Sequence, residues 1–336
     1  MLFTCGYMLG IILITMVHLD DIPALHVLEA HATGWLGEPE PCPVTALGNS
    51  CPSHEELQDA RDAIKHYHDG PLNIMVSSQT SRNHGLPATI SVLDLSQPLP
   101  RGSFLEAMPG VRVPCPELCF VRLARILKRE QLLMLGMSLC GTYAANPVTH
   151  KIEYGLQPLT TADRLQSYIE RLPRTKGKQQ ALEAARALAN GSASPRESAL
   201  YLVLTLPTRL GGFQLPRPVL NDPQALDADA RSIAAKEGVF CDLLWAKQRF
   251  AVEYDSDEFH SLTRREDIER RNALESMGIR VLSITTSIFN DFDRLAACVR
   301  TLRKRLGLRV KPEEGHVTQR RRRLHRILRD MRHPIL

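Results

Sequence analysis

The chain has 336 residues, of which 43% are hydrophobic and 24% are charged, as is usual for a globular protein. This composition argues against a disordered, fibrous or collagen-like chain. The net charge of +5 is unevenly distributed, because residues 301–336 carry twelve Lys or Arg against three Asp or Glu. The basic character is therefore confined to the C-terminal extension, and the rest of the chain is slightly acidic.

The cysteines and the N-terminal segment indicate in which cellular compartment the protein is expected to be. The eight cysteines show no metal-ligand spacing and several lie in apolar runs, which favours free thiols in a reducing cytoplasm. Residues 1–17 contain no charged side chain, but they are at the short limit for a membrane-spanning helix and no basic segment precedes them. We expect a buried N-terminal element, or a true start at Met16, rather than a membrane anchor. The protein is expected to be cytoplasmic.

Residues 18–150 are predicted to form a smaller module of helices and strands, and residues 151–192 a helical linker. A turn signal precedes a short run of β-branched and apolar residues, and later segments have apolar residues at helical spacing. The predicted elements are a strand at 72–76 and helices at 118–129, 131–140, 161–171 and 178–189.

Residues 193–308 are predicted to form an α/β (α+β) domain with a mixed central sheet flanked by helices. Its first helix has Ser194 as N-cap, Pro195 in the first turn and Glu197 closing a capping box. Three strands, a helix, a strand and a final helix follow. These elements are predicted at 217–220, 239–245, 250–255, 263–277, 280–284 and 292–306.

Two acids are predicted to face each other across the hairpin made by the second and third strands. A loop of two or four residues, centred on 247 and 248, pairs positions whose numbers sum to 495. Asp242 then lies across from Glu253, with β-carbons about 5 Å apart, and the two charges repel. A divalent cation such as Mg²⁺ or Mn²⁺ would relieve this repulsion. Asp255 falls on the same face by period-2 alternation.

Other residues near the hairpin are candidates for the same site. Glu197 is either a third metal ligand or only a helix cap, and the sequence favours neither role. His260 follows in a loop and is a candidate for proton transfer. The next helix carries four arginines, which either face a phosphate backbone or form solvated ion pairs: Arg264, Arg265, Arg270 and Arg271.

Residues 309–336 are predicted to be a basic tail. Such a density of guanidinium groups is typical of contact with a polyanion, although a short basic run alone is more often a solvated segment that aids solubility. Beside a candidate metal–carboxylate site, contact with nucleic-acid phosphates is the better explanation. The arginines concerned are Arg320, Arg321, Arg322, Arg323 and Arg326.

The second half, from Ser194 to about Leu295, resembles the PD-(D/E)XK nuclease superfamily, in particular the branch similar to the very short patch repair endonuclease. The resemblance is carried by an aspartate in a strand, a Glu-x-Asp motif, a histidine and an Asp-x-x-Arg helix that leads into Leu and Gly. In this chain these are Asp242, Glu253 with Asp255, His260, Asp267 with Arg270, Leu274 and Gly278.

The resemblance implies a restriction-endonuclease-like αβββαβ core and a Mg²⁺- or Mn²⁺-dependent DNA endonuclease, active in repair or in defence against phage and mobile elements. Asp242 and Glu253 would be ligands, Glu197 an outer ligand, and His260 an aid to proton transfer. One departure matters: Asp255 stands where the superfamily has a lysine, so no ammonium group is available there to stabilise developing charge.

In the first half, a strand at 72–76, the segment 113–119 that enters a helix and the segment 139–143 carry a more distant resemblance. Through them, roughly residues 20–145 are similar to the N-terminal parts of proteins related to AbiE-type abortive-infection antitoxins. This resemblance implies a DNA-facing or protein-facing module.

The main alternative function is therefore a DNA-binding regulator or antitoxin-like protein in which a nuclease fold is inert. RNA is an alternative substrate to DNA, and no small-molecule cofactor is expected.

Overall fold

A computed structural model of the protein describes residues 16–42, 47, 51–77, 87–93, 97–255, 264–310, 314–331 and 333. Most of the apolar N-terminal segment, residues 1–15, lies outside the described residues. Within the described part, no helix is both long enough and apolar enough to span a bilayer.

The first half of the chain alternates short strands with helices. In chain order the elements are β1 Val17–His18, α1 Asp21–Ala32, β2 Glu40–Cys42, α2 His54–Ile64, β3 Leu72–Val76, β4 Ala88–Val92, β5 Phe104–Met108, β6 Val111–Pro114, α3 Pro116–Leu123, α4 Arg129–Leu139, β7 Tyr143–Asn146, β8 Lys151–Tyr154, α5 Ala162–Arg171 and α6 Lys178–Ala185. One sheet has the order β1-β6-β5-β2, while β3 pairs with β4 in parallel and β7 with β8 antiparallel.

The strand predicted at 72–76 is confirmed, but the helix predicted at 118–129 is shorter. It ends at Leu123, and α4 begins after Lys128, whose backbone amide donates a hydrogen bond of 3.1 Å to Oε1 of Gln131. A polar side chain that satisfies an amide at this point starts a new helix.

The second half supplies the predicted order of helix, three strands, helix, strand and helix. The elements are α7 Pro195–Thr205, β9 Val219–Ala225, α8 Ala228–Ala234, β10 Gly238–Trp245, β11 Phe250–Asp255, α9 Arg264–Ser276, β12 Arg280–Thr285, α10 Thr286–Asn290, α11 Phe292–Arg305 and α12 Gly315–Asp330. The short helix α8, between β9 and β10, was not predicted. Gly278 has φ of +75° and lets the chain turn from α9 into β12, as its position predicts.

These strands form a mixed sheet in the order β12-β11-β10-β9. β11 pairs with β12 in parallel, and β10 pairs antiparallel with both β9 and β11. The coarse α+β class is therefore confirmed, with a mixed sheet in the second half.

One large hydrophobic core contains residues from both halves of the chain, from Val17 to Leu328. A smaller core lies between the second sheet, α8 and α9. Residues 151–192, predicted to be a helical linker, contain the helices α5 and α6. Leu165, Ile169 and Ala181 are fully buried in the large core, so this segment is part of the fold.

Within residues 309–336, predicted to be a basic tail, Gly315–Asp330 forms α12. Leu324 and Leu328, four residues apart, share one side of this helix and are buried in the large core. Beyond α12, Nε2 of His333 lies 3.0 Å from Oε1 of Glu29 on α1, and both side chains are buried.

A buried ionic cluster joins α1 to α3. Nε of Arg122 lies 3.0 Å from Oδ1 of Asp20, and both side chains are fully buried. The Arg125 guanidinium lies 3.1 Å from Oδ2 of Asp20 and 2.6 Å from Oδ1 of Asp21. Burial raises the pKa of Asp20, but the hydrogen bonds and charge of Arg122, the charge of Arg125 and a hydrogen bond from Ser91 outweigh it. The pKa of Asp20 is therefore lowered.

Candidate metal centre

The hairpin of β10 and β11 has the predicted register. Its bridged pairs are Leu243 with Val252, Leu244 with Ala251 and Trp245 with Phe250, and each pair of numbers sums to 495. The loop has four residues, the longer of the two predicted lengths, and its last residue, Arg249, is left-handed with φ of +49°. The last bridged pair on this side is Leu243 with Val252, so Asp242 and Glu253 occupy the next position in register but are not bridged.

Side-chain alternation in β10 is interrupted at Asp242. Cys241 and Leu244 both pack in the smaller core, whereas Leu243 packs in the large core. Asn221 is the corresponding position on β9, since its neighbours pair in register with 241 and 243, and it has a positive φ of +45°. This irregular backbone turns the Asp242 carboxylate toward β11, where Oδ2 accepts a hydrogen bond of 2.7 Å from the Tyr254 amide.

The Asp242 carboxyl is strongly disfavoured as an anion. Burial raises its pKa well above the usual value, and the charges of Glu253 and Glu197 raise it further. The hydrogen bond from Tyr254 and the charge of Arg270 act in the opposite direction and do not compensate.

Glu253 is only 3% exposed. Burial raises its pKa from 4.5 to about 7, against the lowering effect of Arg270. Its Oε1 atom is buried and accepts no hydrogen bond from the part of the chain that the structure describes. Asp242, which is half-buried, and Glu253, which is buried, are thus two carboxyls whose negative charges are poorly compensated by the protein.

Two consecutive arginines on α9 approach these acids. Nη2 of Arg270 lies 2.8 Å from Oε2 of Glu253. Nη2 of Arg271 lies 3.6 Å from Oδ2 of Asp255, and it also donates a hydrogen bond to Oγ of Ser283 on β12. Positive charge therefore reaches both acids of the Glu-x-Asp motif from the helix, although neither strand position carries a lysine.

Glu197 is held by its own surroundings. Its carboxylate accepts hydrogen bonds from Oγ of Ser194 at 2.9 Å, the Ala193 amide at 3.0 Å and Nδ2 of Asn221 at 2.7 Å. The Ser194 side chain in turn accepts from the Glu197 amide, as predicted for an N-cap. The capping box differs in one respect, since Glu197 takes the amide before the N-cap residue. Glu197 is close enough to raise the pKa of Asp242.

These contacts decide how well the acids suit a divalent ion. Asp242 and Glu253 offer hard oxygen ligands of the kind that Mg²⁺ and Mn²⁺ prefer, and neither has full charge compensation. Among the described residues, however, no group of three or more His, Cys, Asp or Glu side chains is arranged to hold a metal ion. The arrangement fits an ion bound by the carboxylates of Asp242 and Glu253, while Glu197 remains part of the N-terminal cap of α7.

Some predicted residues lie where no contact is described. His260 falls outside the described residues. Arg264 and Arg265 are in α9, but their side chains are not described.

The arginines of α12 differ from one another in exposure. Arg321 is buried, with its guanidinium 4.5 Å from the ring centre of Phe213, so it is unsuited to bind phosphate. The Arg322 guanidinium lies 2.6 Å from Asp293. Those that reach solvent with fewest protein contacts are Arg320, Arg323 and Arg326.

Sequence reasoning missed the part that Asn221, Arg270 and Ser283 play in the site. A strand predicted to end at position 220 excluded Asn221, although Asn is one of the residues that tolerate a positive φ. Arg270 is predicted as a motif residue and a helix arginine, but its contact with Glu253 is not indicated by the sequence. In comparisons with known proteins, no family model, curated protein or solved structure matches this chain significantly.

Proposed function

We propose that the protein is a Mg²⁺- or Mn²⁺-dependent endonuclease that hydrolyses phosphodiester bonds in DNA. The observation that carries this proposal is a pair of carboxyls on neighbouring strands, the half-buried Asp242 and the buried Glu253, with raised pKa values and two arginines near them. Strongly perturbed acids with specific charge partners are typical of functional sites. The order of α7, three strands, α9 and β12 further supports a restriction-endonuclease-like core.

In this proposal Asp242 and Glu253 hold the ion. When bound, such an ion polarises a phosphoryl oxygen and lowers the pKa of a coordinated water. Asp242 is positioned by the Tyr254 amide, which fixes one carboxylate oxygen. His260 would accept or donate the proton that the reaction moves.

Arg271 takes the part that the superfamily assigns to the lysine. Asp255 orients its guanidinium from one side and Ser283 from the other, so a positive charge stands beside the motif without a lysine. A guanidinium held in this way is suited to stabilise charge that develops on a phosphate.

In this proposal the protein binds DNA through its phosphate backbone. Arg320, Arg323 and Arg326 are exposed on α12, and arginines of this kind bind phosphates without reading sequence. Arg264 and Arg265 on α9 are proposed to extend this contact. Arg321 is not included, because it is buried against Phe213.

A second candidate function is an inert nuclease fold that acts as a DNA-binding regulator or antitoxin-like protein. Two observations favour it: Asp255 replaces the motif lysine, and the carboxylate of Glu197 is fully engaged by Ser194, Ala193 and Asn221. Such a protein would keep the acids and the arginine surface but would not turn over DNA.

The experiment that separates the two is cleavage of supercoiled plasmid by the full chain with Mg²⁺ or Mn²⁺. The variants are Asp242→Asn and Glu253→Gln, with Asp229→Asn, an exposed acid on α8, as the matched control. An endonuclease cleaves with either ion, and both site variants lose activity while the control keeps it. Cleavage that survives in both site variants would overturn the assignment.

Binding to DNA without cleavage under either ion would support the regulator instead. A parallel reaction with a labelled RNA of the same sequence identifies the substrate, since preference for RNA would replace DNA in the proposal.

A further inference from the structure

Arg270 already forms an ion pair with the carboxylate that the proposed ion would need. Its Nη2 atom lies 2.8 Å from Oε2 of Glu253, whose side chain is 3% exposed, while the arginine side chain is 31% exposed. The guanidinium therefore reaches the buried acid from the solvent side. The inference drawn from this contact rests on the proposed metal site of Asp242 and Glu253.

A guanidinium and a divalent ion make conflicting demands on this carboxylate. Both bind through the lone pairs of the same oxygens, and Glu253 has few other ways to be satisfied, since its Oε1 accepts no hydrogen bond from the described residues. A positive group held a few ångströms from an incoming divalent cation also repels it, and a partly buried site screens this repulsion less than water does.

The contact is one that can be exchanged. Arg270 belongs to α9 and is partly exposed, so its long side chain can move into solvent without opening the core. The neighbouring arginine has a different partner, because Arg271 lies against Asp255 and Ser283.

We propose that Arg270 is a built-in competitor for the metal: it occupies the Glu253 carboxylate in the metal-free protein and must leave when a divalent ion binds. The side chain thereby sets the ion concentration at which the site fills. The α9 arginine is a regulator of ion occupancy and not a ligand.

The test measures ion binding to the full chain without DNA, so it needs no catalytic activity. Free Mn²⁺ is followed by electron paramagnetic resonance during titration, with Mg²⁺ added as a competitor. Arg270→Met removes the charge and keeps the length of the side chain, and Arg270→Lys keeps the charge. Arg280→Met is the matched control, since Arg280 is an exposed arginine that lies over the Phe250 ring.

We expect Arg270→Met to bind Mn²⁺ about tenfold more tightly than the unmodified protein, and Arg270→Lys to stay within about threefold of it. Arg280→Met should bind as the unmodified protein does. If circular dichroism shows that Arg270→Met is unfolded, Arg270→Gln replaces it with the same expectation.

Failure of this inference is distinguishable from failure of the proposed function. If the unmodified protein binds Mn²⁺ and Arg270→Met binds it equally or more weakly, Arg270 is no competitor, although the metal site stands. If Asp242→Asn and Glu253→Gln bind Mn²⁺ as well as the unmodified protein, or if no variant binds it, the site itself and this inference both fall.

Discussion

Two clusters of acids and arginines, one in each half of the chain, invite comparison. In the first, Asp20 is fully buried but is enclosed by Arg122 and Arg125, and its pKa is lowered. In the second, Glu253 is paired with Arg270 and Asp242 accepts a hydrogen bond from the Tyr254 amide, and the pKa values of both acids are raised.

Acids beside arginines therefore have different electrostatic properties in the two clusters. A buried carboxylate that is paired with two arginines and hydrogen-bonded stabilises the folded chain as an anion, whereas one without enough such partners stabilises it only when protonated or bound to a cation. The pKa values of Asp20 and Glu253 are thus shifted in opposite directions, although both side chains are buried beside arginines. Asp21 shows how local this is, because burial and the neighbouring Asp20 raise its pKa although it contacts Arg125.

The largest expected effect is in the first cluster. Asp20→Asn keeps the shape of the side chain but leaves Arg122 as an uncompensated buried cation, so the free energy of unfolding should fall by about 3–5 kcal/mol. Urea denaturation at neutral pH measures it. Asp59→Asn, at an exposed position on α2, should change stability by less than about 0.5 kcal/mol. Equal stability of the two variants would contradict a structural role for Asp20.

The second cluster should show the opposite dependence on charge. The pKa of Glu253 is raised from 4.5 to about 7, so its contribution to stability is fully present below pH 4.5 and is lost as pH rises through about 7. The Glu253→Gln variant lacks this loss. Relative to the unmodified protein, its free energy of unfolding should therefore increase by about 3 kcal/mol across that range.

Urea denaturation at a series of pH values, without divalent ions, tests this difference. Glu275→Gln, an exposed position on α9, is the control and should track the unmodified protein. A constant difference between Glu253→Gln and the unmodified protein would mean that Glu253 titrates normally.

The same distinction applies to the arginines of α12. Replacing the exposed Arg323 and Arg326 by Gln should reduce the slope of log affinity for duplex DNA against log salt by about 1.8, or about 0.9 for each phosphate contact. Fluorescence anisotropy between about 50 and 200 mM salt measures the slope. The matched control is Lys65→Gln with Lys151→Gln, two exposed cations of the first half, and an equal change there would remove α12 from the interface.

The smallest expected effect concerns Glu197, whose carboxylate is already satisfied by Ser194, Ala193 and Asn221. Glu197→Gln should change stability by about 1 kcal/mol and Mn²⁺ affinity by less than about threefold. Asp242→Asn in the same titration should weaken binding by more than about tenfold. If Glu197→Gln weakens binding as strongly, Glu197 is a ligand and not only a cap.

Much of the second half was predictable because its signals are local. Alternating apolar residues around position 247 set the register of the hairpin, Ser194 and Pro195 start α7, and Gly278 ends α9. Such patterns act between residues close in sequence, and the structure differs from them by only one or two residues at most ends.

The electrostatic details were not predictable, because they depend on residues distant in sequence. Arg270 meets Glu253 only after α9 folds back over the sheet, and Asn221 meets Glu197 only through a strand irregularity that no pattern indicates. The basic C-terminal extension shows a second limit of prediction from sequence. Its charge is visible in the sequence, but the burial of Leu324 and Leu328 depends on a surface made by the rest of the chain.

The position of α12 has a consequence for how the protein is made. Buried side chains of this late helix pack in the same core as residues near Val17, and His333 meets Glu29 of α1. A ribosome releases these partners far apart in time, so the early helices emerge with part of their apolar surface uncovered. Nascent chains that stop before Leu324 should therefore depend on chaperones, and the native core closes only once α12 has been synthesised.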